Sequence, residues 1–234
     1  ELVGLQQQLI RRLNETGKPT ILIIISGRPL SVRYAADHVP AIVNAWEPGQ
    51  YGGQAIAEIL YGKINPSAKL AMTIPRHVGQ ISSWYNHKRS AYFHPAVCAD
   101  NTPLYPFGYG LSYTKFKYSN LVLSDTVIEN DGKSAIKAQI TIENIGNREG
   151  TEVCQLYIND IVSSVARPVK ELKDFRRVTL KAGEKQTIEF IITPNKLAFY
   201  DVDMKLKIEP GEFKVMVGGS SKDEDLQQVT FNVK

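Results

Sequence analysis

The sequence predicts an α/β layer followed by an all-β sandwich. Three observations carry this expectation. A helical leucine period and a short β-branched run open the chain, the apolar period switches to two from about Lys117, and turn signals then recur at short intervals. The 234 residues give room for one large or two ordinary domains. A hydrophobic share of 43% and a charged share of 22% are ordinary for a folded chain with a real core.

Residues 1–14 read as a helix, because Leu2, Leu5, Leu9 and Leu13 recur at spacings of three and four and share one face. Gly17 and Pro19 supply the stop. Residues 20–26 are a continuous, largely β-branched run, the pattern of a strand covered on both faces in a parallel sheet. Residues 31–38 suit a short helix capped by Ser31 after Pro29. Residues 41–46 are a second short apolar run. Residues 54–61 read as a helix with Ile56, Ile59 and Leu60 inward and Gly62 at its C-terminal end. This alternation defines an α/β layer, and two strands read as the final third of one.

From Lys117 onward Ile136, Ala138, Ile140 and Ile142 alternate with polar residues, as do Ile188, Phe190 and Ile192. Phe213, Val215 and Val217, then Val229, Phe231 and Val233, repeat the period. Turns are signalled at residues 130–132, 144–150, 182–183 and 210–211. About seven short strands in this pattern predict an immunoglobulin-like or fibronectin-III-like sandwich. Between the halves, residues 76–103 are irregular and rich in Trp, Tyr, His and Asn, and residues 104–116 (LYPFGYGLSYTKF) crowd five aromatic rings among glycines. Rings at that density favour burial, so this stretch reads as a packed joint.

Residues 49–53 (GQYGG), 62–75 (GKINPSAKLAMTIP), 104–116 and 143–157 (ENIGNREGTEVCQLY) stand in an order and spacing that resemble the C-terminal half of a family 3 glycoside hydrolase. That family includes β-glucosidases and β-xylosidases, and the resemblance runs from about Thr16 to about Val217. It implies the C-terminal part of an α/β sandwich domain over residues 1–83, an aromatic-rich connection over 84–116 and a fibronectin-III-like sandwich over 117–234. It further implies part of a retaining, exo-acting enzyme that releases terminal β-D-glucosyl or β-D-xylosyl residues, without a cofactor, in the periplasm or outside the cell.

Such enzymes set two carboxyl groups across the scissile bond. By the resemblance, the nucleophile is an Asp on an N-terminal (β/α)8 barrel, and the acid/base is, in many members, a Glu of the second domain upstream of Glu1. No catalytic residue is therefore assigned here. The expected partners are a β-linked oligosaccharide or glycoside, the barrel and the first part of the α/β sandwich. The chain opens on Glu1 inside a helical pattern, so the expectation is that the natural N-terminus lies upstream. Glu47, in a loop, and Glu58, on a helix surface, read as structural. Tyr51 stands where many members of the family carry Glu. The segment expected to reach the sugar is Trp84, Tyr85, Asn86, His87 and Lys88, since aromatic faces stack on sugar C–H faces and the polar tips bond hydroxyls. Its bland alternative is a packed loop with solvated ends.

Other chemistries find little support. The net charge is +4 and the basic residues are scattered, unlike a nucleic-acid surface. No apolar run approaches a membrane span. His77, His87, His94 and Cys98 lack the paired spacing of a zinc site, so no metal is assigned. Ser26-Gly27-Arg28 lacks a nucleophile elbow, and GQYGG lacks the Lys-Ser/Thr of a phosphate loop. Asn14-Glu15-Thr16 is a formal glycosylation sequon. Cys98 and Cys154 are expected as free thiols. A receiver-like signalling domain would need an acidic cluster at the strand ends, which Ser26-Gly27 and Trp46-Glu47 do not supply. The competing class is a non-catalytic fibronectin-like binding or adhesive module, because a sandwich by itself does not fix a function.

Overall fold

A computed structural model describes residues 1–81, 83–89 and 102–234. The first layer runs α1 (Gln6–Glu15), β1 (Ile21–Ile25), α2 (Arg33–His38), β2 (Ala41–Trp46) and α3 (Gly52–Leu60). β1 and β2 pair in parallel, with a register shift that sets Ile25 opposite Trp46. Ile10, Ile24, Val32, Ala35 and Val39 form the small core, joined by Leu22 and Leu104.

Three local expectations are corrected. The helix begins at Gln6 rather than Glu1 and ends at Glu15; of its apolar residues Leu5, Leu9 and Leu13 are 44–71% exposed and Ile10 is the buried position. One residue per turn suffices to seat α1 on a two-stranded sheet, so the stripe points away from it. β1 is likewise covered on one face, with Leu22 and Ile24 turned to the core and Ile21, Ile23 and Ile25 exposed. Period-two alternation puts these three on the side where none of the described chain packs. Ser31 does not cap α2; Val32 holds the cap position, and the Ser31 hydroxyl donates to the Arg76 carbonyl instead. α3 ends as expected, with Gly62 in the left-handed region and its N–H bonded to the Ile59 carbonyl at 2.9 Å.

The second layer is a sandwich of two sheets. β3 (Phe116–Leu123), β5 (Ile136–Asn144) and β8 (Lys185–Ile192) form one, in the order β3-β5-β8. The other has the order β4-β12-β11-β6-β7, from β4 (Val127–Ile128), β6 (Gly150–Asp160), β7 (Glu171–Leu180), β11 (Gly211–Gly218) and β12 (Leu226–Val233). A short hairpin of β9 (Phe199–Tyr200) and β10 (Leu206–Lys207) follows α4 (Pro194–Leu197). The alternation read from the sequence faces inward: Ile136, Ala138, Ile140, Ile142, Phe190, Ile192, Phe213, Val215 and Val217 are all buried. Cys154 is buried in the same core as a free thiol, and burial pushes its pKa well up, so it stays protonated and inert. Cys98 lies outside the described residues, as does His94.

β6 departs from simple alternation. Every residue from Cys154 to Asp160 is buried, because both of its faces are covered. Cys154, Leu156 and Ile158 enter the sandwich core. On the outer face Tyr157 packs with Met216 and Leu226 beneath Tyr85 and Phe107 of the connecting segment.

Candidate functional site

The motifs singled out in the sequence meet at one polar joint between the layers. Asn65 ties three of them: its Nδ2 donates to the Glu149 carbonyl at 2.9 Å, and its Oδ1 accepts from Ser112 Oγ and the Tyr113 N–H. Arg148 donates to the Gly62 carbonyl at 3.1 Å and lies over the Tyr113 ring. Asn144 is wholly buried and fully used, accepting from Thr114 Oγ1 and donating to the Arg148 and Leu180 carbonyls. Gln155 donates to the Gly108 and Gly219 carbonyls and accepts from the Tyr157 hydroxyl. Two glycines are required by this closeness. Gly108 has φ +78°, and a Cβ there would stand 2.1 Å from Gln155 Oε1; one at Gly110 would stand 2.3 Å from the Ala68 carbonyl. The aromatic run thus serves as architecture, with Phe107 stacked on Tyr85 at 4.3 Å and Tyr105 on Tyr109 at 5.4 Å.

Among the described residues, one ion pair crosses the joint. Glu152, on β6, takes a 3.0 Å contact from Lys69 Nζ and a 2.9 Å hydrogen bond from the Tyr118 hydroxyl. Burial pushes the Glu152 carboxyl above its ordinary 4.5, and the Lys69 ammonium opposes that shift without cancelling it. Two effects compete here: the pair attracts, yet desolvation of the carboxylate costs more. The folded carboxyl therefore holds its proton more tightly than the unfolded one. Its contribution to stability is present in full below the unfolded value and is lost as pH rises through the raised folded value. Glu152→Gln is accordingly expected to melt at or above the wild-type temperature at neutral pH, with the difference closing in mild acid. A lower melting temperature at neutral pH would show the ion pair to be the larger effect.

The long connection leaves and re-enters the α/β layer at a closed neck. Ile74 exchanges backbone hydrogen bonds with Leu104 and Tyr105, and the Arg76 guanidinium grips the Thr102 carbonyl and hydroxyl at 2.9 Å. Gln80 braces both ends, accepting from the Arg76 N–H and donating to the Thr102 carbonyl. Beyond the neck, the five residues expected to touch sugar lie on the sandwich. The Val169 N–H donates to the His87 carbonyl at 2.9 Å, and Lys88 forms a β-bridge with Pro168. Tyr85 is part of the joint: Phe107 occupies one face of its ring, the Tyr157 ring meets it at 5.8 Å, and its hydroxyl accepts from the Leu172 N–H. Tyr85 is thus half-buried in the joint, whereas its neighbour Trp84 is 67% exposed. Asn86 and Lys88 are exposed and His87 half-buried.

A second feature involves Glu47, which reads as structural in the sequence. At the carboxyl end of the β1–β2 pair, Trp46 takes φ +51°, rare for a side chain of its size. The next residue, Glu47, lies over Gly27, where a Cβ would stand 2.6 Å from its Oε1. Ligands of open α/β sheets bind outside the carboxyl ends of the strands. The legible signal was Glu and Gly at the ends of two apolar runs. Glu58, in contrast, is held by Lys63 at 2.6 Å and Gln54 at 3.1 Å on the flank of α3. Tyr51, in the adjoining loop, is exposed.

This arrangement defines a class: an α/β layer locked to a fibronectin-III-like sandwich, with a connecting segment pinned across both. Residues 1–113 match the glycosyl hydrolase family 3 C-terminal domain, and residues 152–221 match the fibronectin type III-like domain. The chain belongs to glycoside hydrolase family 3, as part of its C-terminal portion. It is 40% identical over its full length to a β-xylosidase of Formosa agariphila, covering 32% of that protein. It is 43% identical over 92% of its length to a periplasmic β-glucosidase of Salmonella typhimurium, covering 29% of it. A solved β-glucosidase from Erythrobacter marinus superposes with a TM-score of 0.94 at 42% identity, over 100% of this chain and 30% of that one. The Listeria innocua β-glucosidase in complex with glucose superposes with a TM-score of 0.89 at 37% identity, over 97% of this chain and 32% of that one. The chain thus spans about a third of the length of the curated relatives it matches.

Proposed function

We propose that this chain is the non-catalytic wall of a retaining β-glycosidase acting on terminal β-D-glucosyl or β-D-xylosyl residues, and that Trp84, Asn86, His87 and Lys88 face the sugar. Its units are an α/β part over residues 1–83, the connection over 84–116 and the sandwich over 117–234. The catalytic carboxyl groups belong to the barrel and the earlier α/β part that the family carries, and the enzyme works in the periplasm or outside the cell. Relatives named as β-glucosidases and β-xylosidases support the substrate class, and one named as periplasmic supports the location. Among the described residues, no helix is long and apolar enough to cross a membrane.

The observation that carries the site is a combination of rigidity and exposure. Residues 84–88 are pinned from below by the Val169–His87 hydrogen bond, the Lys88–Pro168 bridge and the half-buried, stacked Tyr85 ring, while Trp84 stays exposed. An ordered aromatic left uncovered is a preorganised platform for a ring. The test is Trp84→Ala in the full-length enzyme. A stacking contact of ~1 kcal/mol predicts roughly a fivefold rise in KM for a disaccharide, with the melting temperature unchanged. An unchanged KM would remove Trp84 from the site.

A further inference from the structure

Residues 85–88 rest on a strip of backbone that leads into β7. The Val169 N–H donates to the His87 carbonyl at 2.9 Å, Lys88 bridges Pro168, and the Leu172 N–H donates to the Tyr85 hydroxyl at 3.4 Å. Polar side chains clamp the strip to the sandwich. Arg167 donates through one nitrogen to Asp160 at 3.3 Å and through another to Glu171 at 2.7 Å, and its guanidinium lies 4.6 Å from the centre of the Phe199 ring. Asn159 Nδ2 donates to the Pro168 carbonyl at 3.1 Å. Lys170 Nζ donates to the Ser221 carbonyl at 2.8 Å and to Asp223. The centre of this clamp is a pair of charges taken out of water: the Arg167 side chain is 9% exposed and that of Asp160 2%.

Stability alone does not account for a buried charge network here. Desolvation offsets much of the attraction within a buried pair, and apolar residues of similar volume often hold a fold as well. What a guanidinium adds is direction: its planar fork fixes orientation as well as distance, and two carboxylates bonded to different nitrogens fix the fork. Asp160 closes β6 and Glu171 opens β7, so Arg167 is set against both strands that the connection joins. Pro168 is the next residue, and the placement of Arg167 passes directly to the backbone that carries Lys88 and His87. We infer that Arg167 is a positioning residue for the sugar-facing segment: held by Asp160 and Glu171, it fixes the strip that sets where His87 and Lys88 stand. A polar group that meets a ligand keeps its geometry only when the residues behind it are themselves locked. The role at the sugar rests on the proposed function; the role in holding the strip does not.

The experiment is Arg167→Lys in the full-length enzyme, with Trp84→Ala beside it. Lysine keeps the charge but lacks the fork that reaches both carboxylates. Hydrogen exchange is followed by mass spectrometry in the peptide spanning residues 166–172, with β11 as the internal standard. Exchange in residues 166–172 is expected to quicken roughly tenfold while β11 is unchanged, because a local opening is not a loss of the fold. KM for a disaccharide is expected to rise roughly threefold with kcat held within about twofold, the mark of lost placement rather than lost chemistry. A purely structural role would lower Tm and quicken exchange in both peptides while KM stayed the same, and that result would overturn the inference. Unchanged exchange in residues 166–172 would overturn it as well. Should Arg167→Lys not fold, Glu171→Gln leaves the Arg167–Asp160 pair in place and is expected to quicken the same peptide roughly threefold, with no change overturning the inference. Trp84→Ala does not touch the clamp, so a KM indifferent to it is a failure of the sugar-facing reading, whereas unchanged exchange is a failure of this one.

Discussion

Purified on its own, the 234-residue chain is expected to turn over no aryl β-glucoside or β-xyloside. Retaining hydrolysis needs a nucleophile and an acid/base facing each other across the bond. Without them, most of an acceleration of about 10⁶-fold or more is forfeited. The carboxylates in the described structure have other work. Glu152 is sealed in the joint, Asp160 is paired with Arg167, Asp174 with Lys196, and Glu209 is held by Lys207 and Ser164 well below the ordinary range, at about 2. Among the described residues, Glu47 stands at the carboxyl end of the β1–β2 pair, and one carboxylate does not make the catalytic pair. The measurement is initial rate against a heat-killed control. Turnover that follows the protein through chromatography and disappears in Glu47→Gln would contradict the assignment.

Gly108→Val is expected to cost about 4 kcal/mol. A left-handed backbone costs a residue with a side chain ~1–2 kcal/mol. The new Cβ would also collide with Gln155 Oε1, which stands 2.1 Å from its position. Gln155 cannot move freely, because it holds the Gly108 and Gly219 carbonyls and the Tyr157 hydroxyl. Leaving one or two of these buried groups unpaired adds ~1–3 kcal/mol each. In a chain of this size that sum corresponds to roughly a 10 °C fall in Tm, read by calorimetry. A change of a degree or two would mean that the joint contributes little to holding the layers together.

The sandwich was legible because its residues obey one strong rule. A strand with one face in the core alternates, and Ile136 to Ile142 do so without exception, while in Phe213 to Val217 only Met216, covered on the outer face by Tyr157, departs from it. The α1 stripe shows the limit of such a rule. Periodicity says which residues share a face but not whether anything covers it, so Leu5, Leu9 and Leu13 and Ile10 were indistinguishable by spacing. The joint was visible as glycines and rings, yet its centre was not. Gln155 sits in a strand as an unremarkable polar residue until the Gly108 turn is folded onto it. Tyr85 and Trp84 are adjacent aromatics in one loop, and only the stacking of Phe107 on Tyr85 separates the half-buried ring from the exposed one. Ser31 had every local mark of a helix cap, but a tertiary acceptor, the Arg76 carbonyl, takes its hydroxyl. Each miss is a choice made by long-range contacts between locally equivalent residues.

The account stands on residues 84–88 working at the sugar rather than only fastening the connection to the sandwich. The direct test is the double substitution Asn86→Ala with Lys88→Ala in the full-length enzyme, followed by kcat/KM and Tm on the same preparation. Both side chains are exposed, and the segment's fastening runs through backbone groups and the Tyr85 ring, which the substitutions leave in place. Hydrogen bonds to sugar hydroxyls of ~0.5–1.5 kcal/mol predict a fall in kcat/KM of roughly three- to tenfold, larger where the Lys88 charge takes part. Surface changes of this kind leave Tm within about 1–2 °C. Unchanged kinetics together with a lowered Tm would contradict the account and leave the segment as a fastening alone.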